Sequence, residues 1–213
     1  MELLEGEMRR WGVAWDAVGL AETWLDAESE KKVGLSGYGV VCTSRREKGG
    51  GGVAVFVRDG LTYRERPDLG TFTEEVFESV FVEIIRGGGR RNDIIGVVYR
   101  PPGVGLEGFN TEMARVLTKL RGANGYIMGD FNIDLTHGPT SDFMEGVTSV
   151  GFYPLISLPT RLTDNTATLI DNILTSNLEE GVETGVVMVR ISDHLPVFAF
   201  VGGRGGDPEE GAY

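Results

Sequence analysis

Short apolar runs alternate with glycine-bearing polar segments along the chain, and the period within each run assigns an element. Over residues 53–57, Val53, Val55 and Val57 share one side while Ala54 and Phe56 share the other. Strict alternation of this kind predicts a strand with two distinct faces. Val76 to Ile85 repeats the pattern: Val76, Glu78, Val80, Val82 and Ile84 fall on one face, and Phe77, Ser79, Phe81, Glu83 and Ile85 on the other. Gly87-Gly88-Gly89 then separates this run from the apolar stretch Asp93 to Tyr99, which predicts a hairpin. Tyr38 to Thr43 and Gly52 to Val57 form a second strand pair across a basic, glycine-rich loop, and Leu61 to Arg66 reads as an edge strand. Further strands are predicted over Ala17 to Ala21, at Ile127 and Met128, and over Ala167 to Leu174, Val186 to Val189 and Leu195 to Val201.

Three segments carry helical spacing. Phe109, Met113, Val116, Leu117 and Leu120 place one apolar face on a helix over 109–120, with Arg115, Lys119 and Arg121 opposite. Residues 141–150 turn Phe143, Val147 and Val150 inward, and residues 2–11 form a short amphipathic helix through Leu3, Leu4, Met8 and Trp11. Residues 152–158 are irregular. The order of strands, hairpins and helices fits an α/β fold of two packed sheets with helices outside.

Composition narrows the class. The 213 residues, 41% of them hydrophobic, suffice for one domain with a sizeable core. No apolar run approaches the roughly 20 residues of a membrane span, so no membrane partner is expected. There is no basic segment followed by an apolar core at the N-terminus, and an intracellular setting is the default. Cys42 is the single cysteine, which excludes a disulfide framework or a cysteine zinc site within one chain. A net charge of −12 argues against coating nucleic acid by bulk electrostatics. Two basic clusters, Arg45-Arg46-Lys48 and Arg86-Arg90-Arg91, lie beside glycine runs and read as solvated loop charge. Residues 202–213 read as a disordered tail.

Candidate chemistry centres on Tyr126 to Asp134, where an apolar strand ends in Gly129 and a polar cluster. Asp130 and Asn132 are two apart, so on an extended chain they face one side; an Asx-rich turn is the alternative. Glu22 directly follows an apolar run and must be exposed, paired or metal-bound. Tyr99 is presented at a strand end because Pro101 and Pro102 stop ladder pairing. Of two histidines, His194 stands between Asp193 and a buried strand, whereas His137 lies in a glycine- and proline-containing loop. Asp171 is flanked by Leu169, Ile170, Ile173 and Leu174 and needs a partner; a carboxylate that orients a histidine is a recurring device. Glu22, Asp130, Asp193 and Asn132 are hard oxygen donors suited to Mg²⁺ or Mn²⁺. With an imidazole and a strand-end tyrosine they point to attack of water on a phosphate ester. No serine or cysteine stands in a recognisable nucleophile setting.

Read in order, these stations resemble the endonuclease/exonuclease/phosphatase family, and within it the apurinic-type endonuclease domain of LINE-like (non-LTR) retrotransposons. The matching pieces are Ala-Glu-Thr-Trp-Leu around Glu22, Gly-Gly-Val-Ala-Val-Phe at 51–56, Val-Tyr-Arg-Pro-Pro around Tyr99 and Gly-Asp-Phe-Asn at Asp130 and Asn132. Pro-Thr-Arg at 159–161, Thr-Leu-Ile-Asp-Asn-Ile around Asp171 and Ser-Asp-His-Leu-Pro at Asp193 and His194 complete the series. Each piece is weak alone; their order is specific.

The resemblance implies a four-layer α/β/β/α sandwich of two mainly antiparallel sheets, with helices outside and the site at one mouth. It implies that Glu22 holds a divalent metal, and that Tyr99 and Asn132 contact the scissile phosphate. Asp130 aligns or deprotonates the attacking water, His194 oriented by Asp171 stabilises phosphate charge, and Asp193 supports metal and histidine. It further implies DNA as partner, a monomeric domain over residues 1–201, a nuclear location and compatibility with a polyprotein that carries a reverse transcriptase. One departure stands out. The family begins with a central strand bearing a site asparagine, yet no asparagine precedes Asn92 here, and residues 1–16 read as helical. An N-terminally truncated domain is therefore expected, with a catalytically impaired remnant and a non-nucleic-acid phosphatase or phosphodiesterase as alternative functions.

Overall fold

The computed structural model describes residues 1–46, 49–136, 141–178, 181–189 and 191–202. His137, Lys48 and the proposed tail beyond residue 202 lie outside the described residues. The chain opens with α1 (Glu2–Trp11), then β1 (Ala17–Ala21), β2 (Tyr38–Thr43), β3 (Val53–Arg58), β4 (Tyr63–Glu65), β5 (Phe72–Thr73), β6 (Phe77–Ile84) and β7 (Asp93–Tyr99). It continues through α2 (Leu106–Lys119), β8 (Asn124–Asp130), α3 (Ser141–Ser149), β9 (Tyr153–Pro154), β10 (Arg161–Leu162) and β11 (Ala167–Thr168). The last elements are β12 (Asp171–Thr175), β13 (Val182–Val186) and β14 (Val197–Val201).

The larger sheet runs β4-β6-β7-β8-β12-β9, with β5 paired to β6. All its pairings are antiparallel except β7 with β8, which α2 connects as a parallel crossover. A three-stranded sheet, β1-β3-β2, and the ribbon β13-β14 face it.

Alternation assigns the layers. Val53, Val55 and Val57 meet Val80, Val82, Ile84, Ile95 and Val97 between the sheets. The opposite faces of β6, β7 and β8 pack Phe77, Phe81, Val98 and Ile127 against Phe109, Met113, Val116 and Leu117 of α2 and Phe143 and Val147 of α3. Ala54 and Phe56 point the other way, to Met8 of α1. The result is helix, sheet, sheet, helix. In this stack β1 lies over β7 and β8, and β14 lies against β12.

Three elements differ from the sequence expectation. The strand expected over 167–174 splits into β11 and β12, because the carbonyls of Leu169 and Ile170 accept from Leu135 and Phe131 and leave the ladder. The strand expected over 186–189 lies earlier, at β13. Pro196 has no N–H, and after its carbonyl accepts from Val187 the pairing stops. Within the irregular 152–158 stretch, Tyr153 and Pro154 add a two-residue edge to β12.

Gly129 sits in β8 at φ +153°, and a Cβ there would overlap the Val98 carbonyl of β7. Only glycine allows that approach. Gly129→Ala is expected to destabilise the fold by roughly 1–3 kcal/mol or more, the scale for steric conflict in a packed interior. Urea unfolding measures it; an unchanged midpoint would show that the strands can separate without cost.

Candidate active site

Strand register builds one polar row. Glu78 of β6 stands opposite Tyr99 of β7, Tyr99 beside Asp130 of β8, and Asp130 opposite Asp171 of β12. Cross-strand partners point to the same face, so all four project toward the smaller sheet at one end of the sandwich. One step inward, the same face carries Val80, Val97, Met128 and Ile173. An apolar interior thus gives way to a polar mouth within one strand repeat.

Glu78 is fully buried and joins the sheets. Its carboxylate accepts from Arg45 Nε at 2.6 Å and from the Gly52 N–H at 2.6 Å. The Arg45 side chain is only 9% exposed, which corrects its reading as solvated loop charge. The glycines before β3 permit this, since a Cβ on Gly51 would collide with the Arg45 and Glu78 side chains. Arg86, in the second basic cluster, is likewise tied down, by Asp16 at 2.8 Å and Asp93 at 2.5 Å.

Glu22 enters from the opposite sheet, just past β1, in a left-handed conformation at φ +51°. Its Oε1 accepts the Tyr99 hydroxyl at 2.5 Å, and its Oε2 accepts the Trp24 indole N–H at 3.3 Å. Burial, then Glu22, pushes the Tyr99 hydroxyl well above its ordinary range, so it remains a donor.

Asp130 is 4% exposed. Its two oxygens accept the Asn132 backbone N–H at 2.9 Å and Asn132 Nδ2 at 3.0 Å. Asp130 and Asn132 do meet, but not by extended alternation. Asn132 has φ +46°, so the chain turns back and the carboxamide folds onto the carboxylate. Arg100 clasps this turn: its buried guanidinium donates to the Asn132 carbonyl at 2.9 Å and to the Val104 carbonyl, while its own carbonyl accepts from Asn132 Nδ2. Burial, followed by the Asp171 carboxylate, raises Asp130 from 3.8 to about 7.

His194 Nδ1 lies 3.0 and 3.1 Å from the two Asp171 oxygens, and this bond raises the imidazole pKa. Thr160 holds the pair in place. Its fully buried Oγ1 accepts from the Ile170 and Asp171 N–H groups at 3.2 and 3.0 Å, and its carbonyl accepts from Leu195. The Pro-Thr-Arg stretch is therefore a staple between the Asp171 strand and the His194 loop. Asp193 turns away: its half-exposed carboxylate accepts from Arg161 Nε at 2.8 Å, which lowers its pKa.

Asp130, Asp171 and His194 offer donor atoms all within 4.8 Å of one another. Two carboxylates and an imidazole, with one carboxylate driven to about 7 by burial and its neighbour, form a donor set short of positive charge. That set fits a divalent cation. Glu22 reaches the cluster through Tyr99, whereas Asp193 is engaged with Arg161. Sequence reasoning passed over Arg100, Thr160 and the Glu78–Arg45 tie. Glu78 did leave a signal, as a carboxylate on the apolar face of a strictly alternating strand.

The two-sheet sandwich thus brings carboxylates, a tyrosine and a histidine together at one mouth. The sequence matches the Endonuclease/Exonuclease/phosphatase family over residues 1–194, and the chain belongs to that family. No curated protein sequence matches it. Among solved structures it is similar to the endonuclease domain of TRAS1, a telomere-specific non-LTR retrotransposon (TM-score 0.70, 18% identity, 91% of this chain and 87% of that one). It is also similar to an AP endonuclease from Archaeoglobus fulgidus (0.66, 16%, 93% and 93%). A third likeness is to the 3′ phosphatase NExo from Neisseria bound to a product DNA hairpin (0.62, 15%, 94% and 94%). At these identities the likeness establishes the shared fold. No helix among the described residues is long and apolar enough to cross a membrane.

The Asp130 shift sets a pH dependence. Between about pH 4 and about pH 7 the folded chain keeps a proton that the unfolded chain releases, so stability falls as pH rises through that window. The ceiling from this group is about 4 kcal/mol. His194 adds a loss of the same sign as pH rises through its raised value. In EDTA, Asp130→Asn is expected to flatten most of the decline measured by urea unfolding; parallel profiles for variant and wild type would remove Asp130 as its source.

Proposed function

We propose that the chain is a divalent-metal-dependent phosphodiester hydrolase acting on DNA, specifically a nicking endonuclease of a non-LTR retrotransposon. The observation that carries this reading is the row Tyr99, Asp130, Asp171 with His194 and Glu22 at its rim. The order of the sequence stations and the likeness to the TRAS1 domain support the finer assignment.

On this reading Glu22 would hold the metal at the edge of the Asp130, Asp171 and His194 cluster, and Asp193, tied to Arg161, would be an outer support. A bound Mg²⁺ or Mn²⁺ supplies electrostatic stabilisation of charge developing on the phosphate. Asp130, poised near neutrality, aligns the attacking water and takes its proton. Asn132 is fixed by Asp130 and Arg100 and, with Tyr99, positions the phosphate. Asp171 occupies His194 Nδ1, which leaves Nε2 for the substrate, and the raised pKa favours the cationic imidazole that stabilises phosphate charge.

Two strand edges lie open beside this row. The edge of β1 away from β3 and the edge of β14 away from β13 are both unpaired among the described strands. β1 lies over β7 and β8, and β14 against β12. β1 ends one residue before Glu22, and β14 begins three residues after His194. A catalytically impaired remnant is the second reading, favoured by the same open edges.

Supercoiled plasmid tests the assignment. Nicking that requires Mg²⁺, stops in EDTA and falls at least about a hundredfold in Asp130→Ala is expected, the scale for loss of a general base. A folded chain that nicks nothing would favour the impaired remnant. A second outcome concerns binding alone. A cation held at Glu22 beside Asp130 would favour the ionised Asp130 carboxylate and should raise the melting temperature more above pH 7 than below it; an equal rise at both would place the ion away from Asp130.

A further inference from the structure

Trp24 differs from the other tryptophans. Trp11 and Trp15 pack edge to face on one another, 6.3 Å apart, whereas Trp24 is 69% exposed. It is nevertheless held. Its backbone N–H donates to the Gly51 carbonyl at 2.9 Å, that of Thr23 donates to Gly52 at 3.2 Å, and its indole N–H donates to Glu22. Glu22 and Trp24 have φ of +51° and +53°, a conformation unfavourable for residues bearing a Cβ. Two strained residues and three hydrogen bonds thus hold a large apolar ring out in water beside the carboxylate that grips Tyr99. The neighbouring segment is bare backbone. A Cβ on Gly50 would stand 3.9 Å from the outer ring atoms and 3.8 Å from Arg45 Nη1, and Gly50 to Gly52 contribute no side chain of their own beside the indole.

Charge points the same way. Arg45 is spent on Glu78, Arg86 on Asp16 and Asp93, and Arg161 on Asp193. With a net charge of −12, phosphate contacts need help from interactions that do not depend on charge. Stacking of a base on an aromatic ring is such an interaction, and it tolerates any sequence because every base has a π-face.

We infer that Trp24 is a stacking platform for a nucleobase next to the scissile phosphodiester, and so a residue that selects nucleic acid over simple phosphate esters. The inference rests on the DNA reading above and names the part of the substrate that the mouth grips beyond the phosphate. A base can reach an exposed ring only when it is free of its own stack, so single-stranded, mismatched or distorted DNA is the favoured form.

The test compares binding of a short oligothymidylate with that of a tetrahydrofuran oligomer of equal length, which keeps the phosphodiester backbone and lacks the bases. Fluorescence anisotropy in Ca²⁺ buffer reads both. The full chain is expected to prefer the base-bearing oligomer about tenfold. Trp24→Ala should lose that preference, and Trp24→Phe should keep most of it, which separates the ring from its hydrogen bond to Glu22. Trp24→Leu keeps apolar bulk without a π-face and carries the test if the alanine variant does not fold. A preference that persists undiminished in the alanine or leucine variant overturns the platform and leaves the nuclease reading standing. A wild-type chain that binds neither oligomer overturns both.

Discussion

The mouth of this sandwich depends on the register of β8 between β7 and β12. That register sets Asp130 beside Tyr99 on one side and Asp171 on the other. A one-residue slip of β8 would send Asp130 to the opposite face, toward the helices, and leave Tyr99 and Asp171 without it. Two unlike pairings maintain it. The parallel bond to β7 is enforced by the α2 crossover and by the contact of Gly129 with the Val98 backbone. The antiparallel bond to β12 is enforced by the Leu169 and Ile170 carbonyls, which hold the 131–135 loop, and by Thr160, which holds Asp171. The geometry of the mouth is a consequence of backbone pairing.

Placing acidic groups at the end of an apolar core has a cost, and the chain offsets it unevenly. Glu78 is compensated by Arg45, and the pair also joins the two sheets. A buried pair of this kind adds little net stability, but loss of either partner would strand the other. Asp130 has no equivalent cation directly bonded to it. It receives the Asn132 N–H groups, while the Asp171 charge works against it. The difference separates a structural carboxylate from one held ready to change its charge. Strain follows the same division, since Glu22, Trp24 and Asn132, three of the four non-glycine residues at positive φ among the described residues, lie at this mouth.

An acidic chain with DNA as its proposed substrate looks contradictory only if charge is averaged. Arg45 and Arg86, which sequence alone assigns to open loops, are tied to carboxylates as counter-charges, while an exposed indole stands beside the mouth. Recognition built this way depends less on salt than phosphate-dominated binding does.

Periodicity alone determined the layers of this protein. Alternation in β3 and β6 named both faces of both sheets, and helical spacing named the buried stripe of α2, because burial demands a repeat that any packed element must display. The ordered stations also contained Glu22, Tyr99, Asp130, Asn132, Asp171 and His194. Tertiary structure decided how they are used. Asn132 reaches Asp130 through a left-handed turn clasped by Arg100, a residue 32 positions away. Asp193, adjacent to His194 in sequence, turns to Arg161, while the histidine finds Asp171, 23 residues upstream. Arg45 became a buried counter-ion because Glu78, 33 residues on, faces it across the sheets. Neighbours along a chain share a period, but partners for buried charge are set by register between strands, and no local pattern encodes that.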